Sequence, residues 1–323
     1  MYGRGERGLA EFTALPTGAF LVVRPVIASG LNPPLMEACA AATAQDAMPN
    51  VSQPLRIAAR NAWDVADPAE KALAAQALTR WLTGSSECEP ICCCARVGAA
   101  LQLDDALRPG RPLRPLLVHP RDVPARGIGT PAGRAALLHA IAHIEFNAID
   151  LALDAVWRFP DMPHAWYLEW ASVAVDEARH FTALHDELAR RGYAYGDFDA
   201  HDGLWEMAMK TRHDPLVRVA LVPRLMEARG LDVTPGIMKR LGGAGDRAAV
   251  DILAMILREE VRHVQIGNTW YERLCTDRGL DPIAHWDGLA RAQGAARPQA
   301  PFNIEARLQA GFRLEELIRW GHT

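Results

Sequence analysis

The sequence predicts an all-α fold, because helix start and stop signals recur along the chain and strand signals do not. Thr130-Pro131 and Asp214-Pro215 each place a capping side chain before a proline, which suits the first position of a helix. Gly192 and Gly230 follow stretches of helical period, where glycine commonly ends a helix. No long segment alternates apolar and polar residues, so sheet is expected to be minor at best.

These signals predict six longer helices and two shorter ones after an irregular N-terminal segment. The predicted helices run from Asp67 to about Leu82, from Thr130 to about Trp157, from Asp161 to Gly192, briefly from Asp202, from Asp214 to Gly230, briefly from Thr234, from Asp246 to about Cys275, and from about Asn303 to Trp320. The first 52 residues show no lasting period and are expected to be irregular or partly disordered.

The order of these elements predicts one helical bundle with extensions at both ends. Residues 130–276 contain four long helices and are expected to form a four-helix bundle. Residues 1–52 form an irregular N-terminal segment, and residues 53–129 form a helical, arginine- and proline-rich extension. Residues 277–323 form a C-terminal helical extension that is expected to pack on the bundle.

Composition excludes several classes of protein. The 323 residues carry 35 basic and 39 acidic side chains, and a net charge of −4 argues against a general polyanion binder. No run approaches the roughly 18 uninterrupted apolar residues of a membrane span, and the N-terminus lacks the design of a signal peptide. Six cysteines are too few for a disulfide scaffold. A cytoplasmic protein is expected.

A cysteine-rich loop is predicted between the first two long helices. It contains Cys88, Cys92, Cys93 and Cys94, and this spacing lacks the paired C-x2-C form of a zinc knuckle. A redox-sensitive or inert loop is the favoured interpretation.

Frequent prolines in residues 107–134 forbid a helix and predict an extended strap that lies across the fold. The strap carries the arginines Arg108, Arg111, Arg114, Arg121 and Arg126. Pairing of these arginines with surface acids is the favoured interpretation, and binding of phosphate or RNA is the alternative.

Acidic residues and histidines interrupt the apolar faces of the four long bundle helices. In chain order the pattern is Glu, Glu-x-x-His, Glu, Glu-x-x-His, formed by Glu145, Glu177, His180, Glu227, Glu260 and His263. The two intervals are 32 and 33 residues, which indicates two helix pairs of one design. A lone Glu on an amphipathic helix usually reaches solvent, whereas six such groups in register across four helices indicate a dinuclear metal site.

The physical chemistry of these groups explains why they require metal. Residues three apart share a helix face, so Glu177 with His180, and likewise Glu260 with His263, can each bind one ion. Glu145 and Glu227 come from the other two helices and can bridge or cap the pair. Four carboxylates balance two divalent cations, while without metal their pKa values would have to rise strongly. Mixed oxygen and nitrogen ligands suit iron or manganese.

Further residues near these six are candidates for a supporting role around the site. Pro223, one turn before Glu227, removes the hydrogen bond to Val219 and is expected to kink the third helix beside the site. His139 and His143 flank Glu145 on other faces, and a core or surface role is favoured for both. The acidic residues nearby that could accept the second imidazole N–H are Asp150, Asp176, Asp232 and Glu259, without an assigned pairing.

The chain resembles a family of bacterial ferritin-like proteins of unknown function over roughly residues 55–320. The segments that carry the resemblance are HAIAHIEFNAIDLALDA (139–155), DEARHF (176–181), HDGLWE (201–206), VPRLMEARGLDVTP (222–235), EEVRHVQIG (259–267) and PFNIEAR (301–307). The resemblance implies a ferritin-like four-helix bundle with a dinuclear metal site at the six positions named above. More distantly, the chain is similar to di-iron hydroxylases that modify tRNA and to the wider oxygenase, oxidase and ferroxidase group.

The leading functional hypothesis is a non-haem di-iron oxidoreductase that activates dioxygen to oxidise or hydroxylate a small-molecule substrate. Two iron ions are the expected cofactors, with manganese or a mixed pair as alternatives. An electron donor protein and a homodimer are further expected partners, while RNA is a minor alternative and a membrane is not expected. Ferroxidation or iron handling is the second hypothesis, and a metal-free helical binding scaffold is the third.

Overall fold

The structure, a computed structural model, describes residues 53–82, 97–101, 107–124, 127–295 and 297–321. Within these ranges the chain is predominantly helical and contains no β-strand, apart from an isolated parallel bridge between Leu117 and Ala200. The all-α prediction is therefore confirmed for the described residues. The expectations for residues 1–52 and for the cysteine-rich loop lie outside them.

Twelve α-helices and one π-helical segment make up the described fold. The α-helices are α1 (Leu55–Asp64), α2 (Pro68–Gln76), α3 (Thr79–Leu82), α4 (Pro131–Arg158), α5 (His164–Arg190), α6 (Gly203–Lys210), α7 (Pro215–Leu221), α8 (Ala228–Gly243), α9 (Arg247–Asp277), α10 (Pro282–Ala292), α11 (Ile304–Gln309) and α12 (Leu314–Gly321). The π-helical segment, Val222–Glu227, joins α7 to α8. Side chains of Thr130 and Asp246 accept backbone N–H groups at the starts of α4 and α9, as their sequence positions predict.

Two predictions at the N-terminal side need correction. The helix predicted from Asp67 to Leu82 is divided into α2 and α3 by a turn. Helix α1 precedes it and was not predicted as a separate element. Its N-cap residue, Pro54, makes no side-chain capping bond, so the usual start signal is missing.

The third long helix does not end at Gly230, and no separate short helix starts at Thr234. Instead α8 continues to Gly243 with Pro235 inside it. Proline cannot donate to the carbonyl of Leu231, and the side chain of Asn303 donates to that carbonyl oxygen at 3.2 Å instead. A tertiary contact therefore compensates for the lost helical hydrogen bond.

The C-terminal region forms three helices and not the one helix predicted from Asn303 to Trp320. Asp281 caps α10 by accepting the N–H of Ala284 at 2.7 Å, a start signal that the prediction did not use. Gly311 has a φ of +87°, in the left-handed region that favours glycine, and separates α11 from α12.

The helices pack around one continuous apolar core. Helix α4 packs along α5, α1 lies on α4, and α2 lies on α5. Helix α9 contacts α5, α7, α8 and the π-helical segment, so the helices that carry the six predicted ligands surround a common interior. In the described part of the chain, α4 is the one helix long and apolar enough to cross a membrane, but 72% of that apolar window is buried inside the protein. It is the core helix of this fold.

The described part of the proline-rich strap, residues 107–124, contains no helix, as predicted, and contacts α1 through Gly110 and α4 through Arg111. The N–H of Gly110 donates to the carbonyl of Trp63 at 3.0 Å, and a Cβ at Gly110 would lie 2.1 Å from the carbonyl oxygen of Asp64. Arg111 pairs with Asp202 at 2.7 Å, which agrees with the favoured interpretation of the strap arginines. Arg126 lies outside the described residues.

Candidate metal centre

Helix packing brings the predicted acidic and imidazole side chains into one buried cluster. Helix α4 supplies Glu145, α5 supplies Glu177 and His180, and α9 supplies Glu260. One potential ligand atom from each of these four residues lies within 4.8 Å of the others. The side chains of the first three are at most 7% exposed, and that of Glu260 is 14% exposed.

His263 joins this cluster through Glu177 and Glu260. Its Nδ1 lies 2.8 Å from Oε1 of Glu177 and 3.2 Å from Oε1 of Glu260. On the other side, Nδ1 of His180 lies 3.2 Å from Glu145 and 3.4 Å from Oε2 of Glu177. Glu177 therefore lies between the two imidazole rings, with one carboxylate oxygen directed towards each.

The outer nitrogen of each imidazole is bonded to a carboxylate on the opposite helix. Nε2 of His180, on α5, is 2.7 Å from Oε2 of Glu259 on α9. Nε2 of His263, on α9, is 3.2 Å from Oδ2 of Asp176 on α5. Arg179 makes ion pairs with both of these carboxylates. Each outer N–H therefore has an acceptor, and both Nδ1 atoms face the inner carboxylates.

These two outer pairings were not assigned from the sequence, although both acidic residues were among the four candidates. Each one immediately precedes the Glu of a Glu-x-x-His motif, and this repeated position is the signal that could have identified them. The other two candidates lie elsewhere: Asp150 pairs with Lys71, and Asp232 pairs with Arg307.

Burial and crowding shift the pKa values of the carboxyl groups in opposite directions. Burial and then the charge of Glu260 raise the pKa of Glu227 to about 8. Burial, followed by the charge of Glu177, likewise raises the pKa of Glu145 and that of Glu260. Burial opposes ionisation of Glu177 as well, but the charge of His263 and hydrogen bonds from both imidazoles hold its pKa well below the usual range.

Both imidazoles are held in the protonated form in the absence of a cation. Burial opposes this charge, but hydrogen bonds to Glu145 and Glu177 raise the pKa of His180 to about 11. The charges of Glu177 and Glu260 raise the pKa of His263 well above its ordinary value. Because both pKa values are raised, a cation that binds at the two Nδ1 atoms must displace a proton from each ring.

Glu227 is the last residue of the π-helical segment. It is not among the four residues whose ligand atoms lie within 4.8 Å of one another, but its carboxyl group interacts electrostatically with Glu260, Glu177 and His263. The backbone distortion predicted at Pro223 takes the form of a π turn, in which the N–H of Ala228 bonds to the carbonyl of Pro223 five residues earlier. Pro223 has no N–H, so it cannot donate the regular α-helical hydrogen bond to the carbonyl of Val219.

Replacing Gly267 by alanine is expected to displace the π-helical segment. A Cβ at Gly267 would lie 2.5 Å from Cβ of Pro223, because α9 packs closely against the proline ring. We expect about 1–3 kcal/mol of destabilisation in urea unfolding. The matched control is Gly230→Ala in α8, where a Cβ meets nothing within 4 Å and alanine should stabilise the helix. Equal stability of the two variants would contradict the close approach.

His139 and His143 are buried and lie outside the cluster. Nε2 of His139 accepts the N–H of Gly196 at 2.8 Å. His143 bonds through Nδ1 to the hydroxyl of Tyr195 at 2.8 Å and through Nε2 to the carbonyl of His201 at 3.1 Å. Burial lowers the pKa of His139 to about 4 and that of His143 to about 3, so both rings are neutral near pH 7.

The fold and the cluster define a helical protein with a buried carboxylate–histidine centre that could hold metal. Residues 64–318 match the family model described as "Protein of unknown function (DUF455)", and the chain belongs to this family. An uncharacterized protein of Haemophilus influenzae is 49% identical over 213 residues, which are 64% of this chain and 74% of the relative. No solved structure matches the chain.

Proposed function

We propose that this protein is a ferritin-like dinuclear metal protein in which two iron ions activate dioxygen to oxidise or hydroxylate a small organic substrate. One observation carries the proposal: both imidazoles direct Nδ1 at shared inner carboxylates while opposite helices hold their outer nitrogens. Outer acceptors of this kind orient histidine ligands in metal sites. The ligand-bearing helices α4, α5, α7 with α8, and α9 would correspond to the four helices of the bundle.

The chemistry of the donor set fits two divalent cations. Oε2 of Glu177 is buried, and its contact with Nδ1 of His180, at 3.4 Å, is long for a hydrogen bond, so a cation between these two atoms would satisfy the oxygen better. Four carboxylates and two neutral imidazoles offer a charge of −4, which two divalent ions balance. Carboxylate and imidazole ligands suit iron, with manganese as the alternative metal.

The sequence left Glu145 and Glu227 as bridging or capping ligands, and the contacts in the cluster favour one role for each carboxylate. Glu177 and Glu260 each approach both imidazoles, so they are the residues that would bridge two ions. Glu145 is bonded to His180 and would bind the ion on that side. The charge of Glu227 interacts with His263, so Glu227 would bind the other ion. Glu145 and Glu227 would then be terminal ligands and not bridges.

When bound, two iron ions supply the electrons that reduce dioxygen, and a donor protein would restore those electrons. The protein residues orient and insulate the site. Asp176 and Glu259 hold the imidazole rings, and Arg179 bonded to both keeps these acids in place. Glu145 and Glu177 are at most 5% exposed, so little water can reach these two inner carboxylates.

Metal analysis tests the proposal directly. The full chain, loaded anaerobically with ferrous iron and desalted, is expected to retain about two ions per chain and to develop an ultraviolet–visible absorption change when dioxygen is admitted. The control is Glu206→Gln, which changes an exposed acid at the start of α6 and should keep both ions. A protein that binds no metal would refute the proposal. A large hollow oligomer that accumulates many ions per chain would instead favour iron storage.

Metal affinity is expected to increase as pH rises from 6 to 8. Glu227, with a pKa near 8, and His180, with a pKa near 11, bind protons that the metal must displace. Because both folded-state pKa values are raised, these protons stabilise the metal-free protein at low pH, and this contribution decreases as pH rises towards each pKa. The apparent affinity should rise up to about tenfold per pH unit for each proton released. Titration with manganese in buffers at pH 6, 7 and 8 measures it, and an affinity independent of pH would contradict the assignment.

A further inference from the structure

The π-helical segment that ends at Glu227 is attached to the C-terminal residues by a buried arginine. Arg224 is 2% exposed and forms an ion pair with Glu316 of α12, which is 3% exposed. The guanidinium also lies over the rings of Tyr271 and Phe312, at 4.9 and 4.8 Å from their centres. A charge buried this deeply requires its partner, so loss of the Glu316 charge would leave that of Arg224 uncompensated.

A second set of contacts attaches the chain immediately after Glu227 to the same C-terminal region. Arg307 pairs with Asp232 at 2.6 Å and donates to the carbonyl of Ala228 at 3.4 Å. The backbone N–H of Asn303 also donates to Asp232, at 2.9 Å. Residues 303–321, here called the C-terminal clamp, therefore contact the chain on both sides of Glu227.

Helix α9 completes the attachment from a third direction. Asn268 accepts a hydrogen bond from Arg224 at 2.6 Å and donates to the carbonyl of Ala310, in the clamp, also at 2.6 Å. The preceding residue, Gly267, lies against the ring of Pro223. The helix that supplies Glu260 and His263 is therefore joined both to the π-helical segment and to the clamp.

We propose that the C-terminal clamp is a positioning device that keeps Glu227 in the metal centre by fixing the π register of residues 222–227. This inference rests on the proposed dinuclear function. A π turn contains one residue more than an α turn, and return to the α register would rotate the following residue by about 100° around the helix axis. Glu227 would then turn away from Glu260 and His263. Contacts at Arg224 before it, and at Ala228 and Asp232 after it, oppose this rotation.

The test compares Glu316→Gln with Glu315→Gln, a matched substitution at the exposed neighbouring position in α12. Hydrogen exchange of residues 222–228 is measured on the metal-free proteins, and manganese binding is measured on the full chains. We expect Glu316→Gln to accelerate exchange in this segment but not in α5, and to weaken one of two manganese ions about 10–100-fold. The ion beside His180 should be retained, and Glu315→Gln should behave as the wild type.

Unchanged exchange and two ions bound with wild-type affinity in folded Glu316→Gln would overturn the inference. Should that variant fail to fold, Arg307→Lys keeps the charge opposite Asp232 but removes the forked contact, and the same two measurements apply. A wild-type protein that binds no manganese or iron would refute the dinuclear function. The exchange comparison on metal-free protein would then decide by itself whether the clamp holds the π register.

Discussion

Replacing Glu177 by alanine is expected to abolish binding of both metal ions. The carboxylate directs Oε1 towards His263 and Oε2 towards His180, so its removal takes one ligand from each proposed ion. The loss in affinity should exceed the about 10–100-fold that follows removal of an outer-shell partner. Metal analysis after equilibrium dialysis against ferrous or manganous ions measures the result.

Glu145→Ala is the informative comparison. Of the two imidazoles in the cluster, Glu145 forms its ion pair with that of His180. The substitution should weaken mainly one ion, and Glu206→Gln should weaken none. Two ions bound to Glu177→Ala with near wild-type affinity would show that Glu177 does not bridge. Equal loss in Glu145→Ala and Glu177→Ala would reject the distinction between terminal and bridging ligands.

Replacing Asp154 by alanine is expected to destabilise the protein by about 3–5 kcal/mol, the typical cost of leaving buried charges without their partner. Asp154 is fully buried on α4, where it pairs with Arg158 one turn later and with Arg218 on α7 at 2.6 Å. Both arginines are also buried, so the substitution leaves two cations near each other. Urea-induced unfolding of the metal-free protein measures the change.

Asp251→Ala is the control for this prediction, since Asp251 is exposed on α9 and its loss should change stability by no more than about 0.5 kcal/mol. Stability of Asp154→Ala within that same range would show that the buried ion pairs contribute little. Because Asp154 lies outside the metal cluster, metal content per folded chain should stay at the wild-type value. That second measurement separates a loss of stability from a loss of the site.

Local sequence predicted the helices that have local start signals. Thr130 and Asp246 cap α4 and α9 through bonds to residues three positions later, so these starts depend on neighbouring sequence. The continuation of α8 through Pro235 was not predictable in this way. There the carbonyl of Leu231 accepts a hydrogen bond from Asn303, 72 residues further along the chain.

The sequence by itself predicted six inward-facing groups, because residues three apart on a helix point in one direction. The structure brings the ligand atoms of Glu145, Glu177, His180 and Glu260 within 4.8 Å of one another. The sequence also contained the two acids that bond to the outer imidazole nitrogens, Asp176 and Glu259, each at the position before a motif glutamate. Only the tertiary structure decided that Glu177 lies between the two imidazoles and that Asp176 and Glu259 hold the histidine of the opposite helix. Helical spacing sets the direction of a side chain on its own helix, whereas the contact across two helices depends on how those helices pack.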